Sequence, residues 1–405
     1  MTPEDPIGII ELDNKNVKCL IFKVINDNET EIIAKSLTPS DGIKNDTIVN
    51  IPKATKVIRA CISEAEKKAK ISLKKINVVF EQIDFLCTKF SKHKKIDGSK
   101  IHKDDIEFLL KESKKQLILN DENQSIIHIF NHNYIVDGKN FVEEPIGVYA
   151  NSLTHEITFI TAPKNNLKNI NQVFIDCDIE IERLISKTFA LGVSFLNEDE
   201  LDFGSVIIDL GFEKTSIGLF KNLAIVHSVS FPFGFNHIVK DISKICSLDM
   251  NESENLVKNI DFSFKNNENV FDNNDYLKNE YFINSNFRKI SKNLITNVIK
   301  ARLNEIIEKL KKQLIVPGFE KISAVNFSLV GEGAYFNNVE EYFKDIFSPN
   351  FKNNYKKNSV DKNFLSCLGA LTIIKDGWET EAIPKMSDRN IGKIGFFAKI
   401  FGINK

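Results

Sequence analysis

The sequence predicts an α/β fold of two similar domains, each built on a strand-turn-strand unit. Three observations lead there. Residues 9–23 read IIELDNKNVKCLIFK and residues 207–221 read IIDLGFEKTSIGLFK, so that Ile9 aligns with Ile207, Glu11 with Asp209 and Leu12 with Leu210. Each copy is followed by further strand-like sequence and then a helical stretch, at 51–70 and 235–247. Late in the second half, VNFSLVGEGAYFNNVEEYF (325–343) runs from an apolar strand through a Gly-x-Gly turn into a helix start.

Each element has a physical reason. The two copies are apolar runs ending in a carboxylate, then a polar turn, then a second apolar run, which is the pattern of a β-hairpin. Any two hairpins look alike over so short a span; the shared flanks turn the likeness into an internal repeat. Two such domains would point their hairpin turns and the carboxylates Glu11 and Asp209 into a common cleft. Backbone N–H groups in such turns can cradle phosphates, and a carboxylate at a strand end can hold Mg²⁺ through water. A glycine turn lets the backbone approach a base or ribose with no Cβ in the way. Gly211, Gly234, Gly331 and Gly333 each serve equally well as plain turns. Arg302 and Glu305, three apart on a helix, also suit an ordinary ion pair.

Composition narrows the class. At 405 residues the chain can bury two cores. A formal charge of −1 gives the body no bulk attraction to nucleic acid. The six cysteines stand singly, without the spacing of a metal cluster or redox pair. The start MTPEDPIGIIEL is acidic and unlike a signal peptide, and no run reaches the ~18 apolar residues of a spanning helix. The Asn-rich stretch at 262–286 has no helical or strand period and reads as a loop-rich insertion.

The order of hairpin, repeat and late glycine turn resembles the actin/Hsp70/sugar-kinase superfamily. Within it the chain resembles the FtsA family of bacterial cell-division proteins, in EPIGVYANSLTHEITFITAP (144–163), LNEDELDFGSVIIDLG (196–211), NLITNVIKARLNEIIEKL (293–310) and NFLSCLGALTII (363–374). The resemblance implies an actin-like (ribonuclease H-like) fold with an inserted 1C subdomain. Subdomain 1A would take 1–84 and 164–202, 1C 85–163, 2A 203–242 and 323–377, and 2B 243–322. It implies ATP and Mg²⁺ held by Glu11, Asp13, Asn14, Asp209, Gly211, Lys214, Thr215, Gly234, Gly331, Gly333, Arg302 and Glu305, with Asp209 carrying Mg²⁺ through water. Two departures stand out. Family members usually have glycine after the first carboxylate turn and three glycines in the second; here Asp13 replaces the former, and Phe212 and Glu213 interrupt the latter. Turnover is therefore expected to be weak at most.

The tail carries the membrane expectation. Residues 378–390 read as a polar linker, and 391–405, IGKIGFFAKIFGINK, hold no acid. Ile391, Ile394, Phe397 and Phe401 share one helical stripe, with Lys393 and Lys399 among the basic residues, as in helices that lie in a membrane interface. Burial of a few such side chains barely exceeds the ordering cost of the segment, so one tail binds weakly and several must act together. By resemblance the chain is a peripheral adaptor on the cytoplasmic face of the inner membrane at the division septum. It would bind the C-terminal peptide of FtsZ through Arg288, Lys292 and Arg302, self-associate into filaments, and meet later division proteins through 1C. The rival readings are an ATPase or small-molecule kinase of the superfamily, disfavoured by the eroded turns, and a pilus-platform adaptor, disfavoured by the basic tail.

Overall fold

The computed structural model describes residues 6–26, 29–265, 267–315, 326–347, 351–352, 362–378 and 380–382. The tail at 391–405 and most of the expected linker lie outside them. In chain order, β1 (Ile7–Glu11), β2 (Asn16–Asn26), β3 (Glu29–Pro39) and the small pair β4 (Ile43–Lys44) and β5 (Thr47–Ile48) lead into α1 (Ile51–Ala69). After β6 (Lys75–Phe80) comes an inserted block: β7 (Leu86–Lys100), α2 (Lys103–Asn120), β8 (Gln124–Val136), β9 (Asn140–Val142) and β10 (Tyr149–Pro163). Then follow α3 (Lys164–Ile175), β11 (Glu180–Ser186), α4 (Lys187–Phe195) and α5 (Glu198–Phe203). The second half opens with β12 (Ser205–Leu210), β13 (Thr215–Lys221) and β14 (Ala224–Phe231), then α6 (Asn236–Cys246), α7 (Met250–Asn259) and α8 (Lys292–Gln313). It closes with β15 (Asn326–Val330), α9 (Val339–Phe347), β16 (Phe351–Lys352), α10 (Leu365–Asp376) and β17 (Glu381–Ala382).

The repeat read from the sequence is a repeat of topology. One sheet runs β11-β6-β1-β2-β3 and the other β16-β15-β12-β13-β14, the same order in both copies. β1 pairs in parallel with β6 as β12 does with β15, and β6 with β11 as β15 does with β16. Every residue of β1 and β12 is buried, as central strands flanked on both sides require. Local signals set the helix ends. The Asn50 side chain caps α1 by accepting the Lys53 N–H, with Pro52 in the first turn, and Lys70 ends it in the left-handed conformation. Ser291 caps α8, whose Ile295, Val298, Ile299, Leu303, Ile306, Ile307 and Leu310 form its buried stripe.

The chain divides into two compact units. Among the described residues, unit 1 takes those up to 204 together with 218–229 and 362–382, and unit 2 takes 205–217 and 230–352. Within unit 1 the inserted block has its own core, of Phe90, Ile101, Ile106, Leu109, Leu153, Ile157 and Phe159 among others. β7, β10 and β8 are antiparallel neighbours there.

Three expectations change here. Residues 323–377 were expected in one subdomain with 203–242, yet α10 belongs to unit 1. It crosses α4 so closely that a Cβ on Gly369 would run into the Ala190 carbonyl, and its Ser366 hydroxyl donates to Glu11 Oε2. Residues 218–229 also join unit 1, where Phe220 lies against Gly192 and Asn222 donates to the His132 carbonyl and to Asn133. The expected linker begins as fixed structure. Trp378 Nε1 and Thr380 Oγ1 both donate to the Leu223 carbonyl, at 2.6 and 2.7 Å, and β17 adds an antiparallel edge to β8.

Candidate functional site

The sequence-predicted residues gather in two places, one in each unit. In unit 1 the first hairpin turn holds Glu11, Asp13 and Asn14. The register sets Glu11 opposite Lys18, and the two form an ion pair at 3.0 Å. Glu11 is fully buried, and Lys187, the first residue of α4, stands 3.6 Å from it and 3.4 Å from Asp13. Burial opposes a charge on Lys18, but Glu11 and Asp13 outweigh it and hold its pKa above the usual lysine value. Three amides of the turn are engaged: Leu12 N–H donates to the Val79 carbonyl, Asn14 N–H to Asp46 Oδ1 and Lys15 N–H to Asp13 Oδ1.

In unit 2 the second turn brings Asp209, Gly211, Lys214, Thr215 and Gly234 together with the late glycines. Gly211 N–H donates to the Lys214 carbonyl, closing the turn. Its other face is covered by the start of α6, where Phe235 N–H donates to the Gly211 carbonyl and Asn236 N–H to that of Phe212. Gly234 is glycine because a Cβ would collide with both carbonyls. Thr215 Oγ1 donates to the Phe233 carbonyl at 2.6 Å. Phe212 packs edge to face on Phe235, which continues through Phe336 to Phe262, so the bulk that interrupts the turn anchors it to an aromatic row. Glu213 accepts from Asn236 at 2.6 Å and from Lys240 at 3.0 Å. Gly331, with φ +86°, lies directly on Asp209 and the Leu210 carbonyl, and Gly333 on the Leu210 side chain.

Arg302 and Glu305 do not join that cluster through any contact described. Arg302 makes a two-pronged pair with Asp241 of α6, at 2.7 and 3.1 Å, and a further contact of 2.6 Å to Glu305. Of the other cations expected to meet a partner, Arg288 donates to the Ser247 carbonyl, while Lys292 pairs with Asp275 at 3.4 Å and sits over the Phe271 ring. Sequence reasoning missed the surface pocket beside Lys292, where Lys265 and Lys278 stand among Glu268, Asp272 and Asp275, because the aperiodic stretch gave no register to place them. It also missed Lys18, Asp46, Lys187 and Lys240. The hairpin register would have found Lys18, directly across from Glu11; the other three come from distant elements.

A bound nucleotide needs turn N–H groups to receive phosphate oxygens and an absence of competing anions. Here the amides of Leu12, Asn14, Lys15 and Gly211 already have acceptors, and Asp13 and Glu213 stand at the two turns. These turns do not fit a triphosphate as they are built. Asp209 is buried beside Gly331, and among the described residues no group of three or more His, Cys, Asp or Glu could hold a metal.

Comparison with known proteins agrees with the fold. A family profile described as the SHS2 domain inserted in FtsA matches residues 86–161, and one described as cell division protein FtsA matches 206–369, together more than half the chain. Cell division protein FtsA of Neisseria meningitidis is 24% identical over 84% of this chain and 81% of its own length. That of Bacillus subtilis is 24% identical over 85% and 77%. Among solved structures, the PilM–PilN type IV pilus biogenesis complex aligns with a TM-score of 0.59 at 12% identity, covering 90% of this chain and 96% of that one. MreB 5 of Spiroplasma citri, bound to AMPPNP, aligns with 0.54 at 14% identity, covering 92% and 96%.

The duplicated sheets and the inserted block define an actin-like α/β protein carrying an SHS2-type insertion. The chain belongs to the FtsA family, and its role is in cell division.

Proposed function

We propose that this protein is a division adaptor that recruits FtsZ filaments to the cytoplasmic face of the membrane at the septum. The observation that supports this most is the family match over 206–369, the span that contains α8 and the pocket beside Lys292. Lys265, Lys278 and Lys292 line that pocket together with Glu268, Asp272 and Asp275, so a carboxylate of an acidic peptide would take over from Asp275 at Lys292. Arg288 and Arg302 have internal partners, so their part is to hold the surface in shape. The subdomain division proposed is the one read from the sequence, with α10 and 218–229 moved to the side of 1A and 1C. Filament formation and contacts of 1C with later division proteins belong to the same reading.

Membrane attachment is assigned to 391–405, through Ile391, Ile394, Phe397 and Phe401 with Lys393 and Lys399. ATP with Mg²⁺, expected from the sequence, has no part in this reading because Asp13 and Glu213 stand at the turns and the amides of Leu12, Asn14, Lys15 and Gly211 are engaged, and no turnover is proposed. The test has two arms. Charge reversal at Lys278 and Lys292 is expected to weaken binding of an FtsZ C-terminal peptide at least tenfold by fluorescence anisotropy. Deletion of 391–405 is expected to abolish co-sedimentation with anionic liposomes; unchanged sedimentation would sink the tether.

A further inference from the structure

The first hairpin contains groups that correspond to those a nucleotide complex would bring. Asp46, between β4 and β5, is 1% exposed, and its Oδ1 accepts the Asn14 N–H at 3.1 Å. A buried carboxylate oxygen thus takes the amide that would receive a phosphate oxygen. Asp46 is held there from both sides of its own backbone. Its carbonyl accepts Gln82 Nε2 at 3.1 Å, and the loop is closed by the Val49 and Asn50 N–H groups on the Gly42 carbonyl. Lys187 supplies the positive charge, its ammonium lying between Asp13 and Glu11 where those carboxylates would otherwise attract a cation. The second turn is closed in a different way, with the Gly211 N–H on the Lys214 carbonyl. Asn236 and Lys240 bind Glu213, the first amides of α6 bind the turn carbonyls, and Phe212 is fixed in the aromatic row.

We infer that each hairpin is occupied by the protein's own side chains, and that this protein works as an actin-like adaptor without binding ATP. Asp46 stands in for the phosphate and Lys187 for the cation, so the conformation that relatives could reach by loading nucleotide is built into the chain. A triphosphate entering the first turn would have to displace a buried carboxylate and approach a second. Like-charge juxtaposition of that kind costs on the order of a hundredfold in affinity or more. This goes beyond the recruitment reading, and its test uses neither FtsZ peptide nor liposomes, so either can fail alone.

The experiment is a titration of the full chain with MgATP by calorimetry, with melting temperature recorded in parallel. At roughly 5 mM ligand, a Kd of about 50 µM would raise the melting temperature by several degrees. No saturable heat and no such shift are expected; saturable binding with a Kd near or below about 100 µM overturns the inference. A second arm restores the glycines usual in the family, as Asp13→Gly with Phe212→Gly and Glu213→Gly, and should gain MgATP binding. If that variant does not fold, Asp46→Asn replaces it, since the amide oxygen can still accept the Asn14 N–H without the buried charge. A folded variant that gains nothing overturns the claim that these side chains are what keeps nucleotide out.

Discussion

Two buried carboxylates outside the hairpin turns order the segments around them. Glu252, at the start of α7, accepts the N–H groups of Ile283, Asn284 and Ser285, the Ser285 hydroxyl and the Asp249 N–H. It is the peg for residues 283–285, the end of the aperiodic stretch. Burial alone would raise its pKa, but the Ser285 hydroxyl and these amides override it and hold the group at about 2. Glu381 is the second: Arg183 and His128 flank it, and against the effect of burial they keep it at about 2. A carboxylate depressed in the folded state stabilises fully above its unfolded pKa, near 4.5, and that stability is lost as pH falls toward about 2. Urea midpoints should therefore fall between about pH 4.5 and 2, and Glu252→Gln should flatten that dependence. At neutral pH, Glu381→Gln leaves Arg183 buried beside a neutral partner and should cost ~3 kcal/mol. A loss below ~1 kcal/mol in denaturant unfolding would show the pair is dispensable.

At the scale of elements, the crossing of α4 and α10 is the most demanding contact. Gly369 brings its backbone onto the Ala190 carbonyl, and the same α4 presents Gly192 to the ring of Phe220. Both glycines are there for lack of a side chain and not for unusual backbone angles, since neither has a positive φ. Gly369→Ala must push the helices apart and disturb the Ser366–Glu11 contact that α10 delivers. An overpacking cost of ~2 kcal/mol or more is expected, read as a lower urea midpoint with unchanged m-value. Gly331 is a different case, because its φ of +86° makes any side chain strained before it meets Asp209.

Across the whole molecule, residues distant in sequence close unit 1. Ser366 reaches Glu11, and the triad of His128, Arg183 and Glu381 joins the inserted block, the first sheet and the segment after α10. This fixes the position of 380–382, the last described residues of the chain. Two truncations separate the roles of those segments. Removing 383–405 should leave stability unchanged, whereas removing 377–405 uncovers the β8 edge and strips Arg183 and His128 of Glu381. The second should lower the denaturation midpoint by more than Glu381→Gln does, by at least ~3 kcal/mol, because the Trp378 and Thr380 bonds to the Leu223 carbonyl go with it. Equal midpoints for the two truncated chains would mean that β17 is not part of the folded body.

The sequence alone determined the duplicated hairpins and the strand–glycine–helix unit, because apolar runs and turn chemistry are local properties of the chain, and the inserted block followed from the resemblance to the FtsA family. It also showed both turns to be eroded, through Asp13, Phe212 and Glu213. The tertiary structure decided what fills them. Lys187, Asp46 and Lys240 arrive from helices and loops whose packing no local pattern encodes, and α10 joins its unit through its buried face, the close approach of Gly369 to Ala190 and the Ser366–Glu11 contact. Charge pairing between remote elements depends on where each backbone is carried in space, and that is settled only when the whole core is packed.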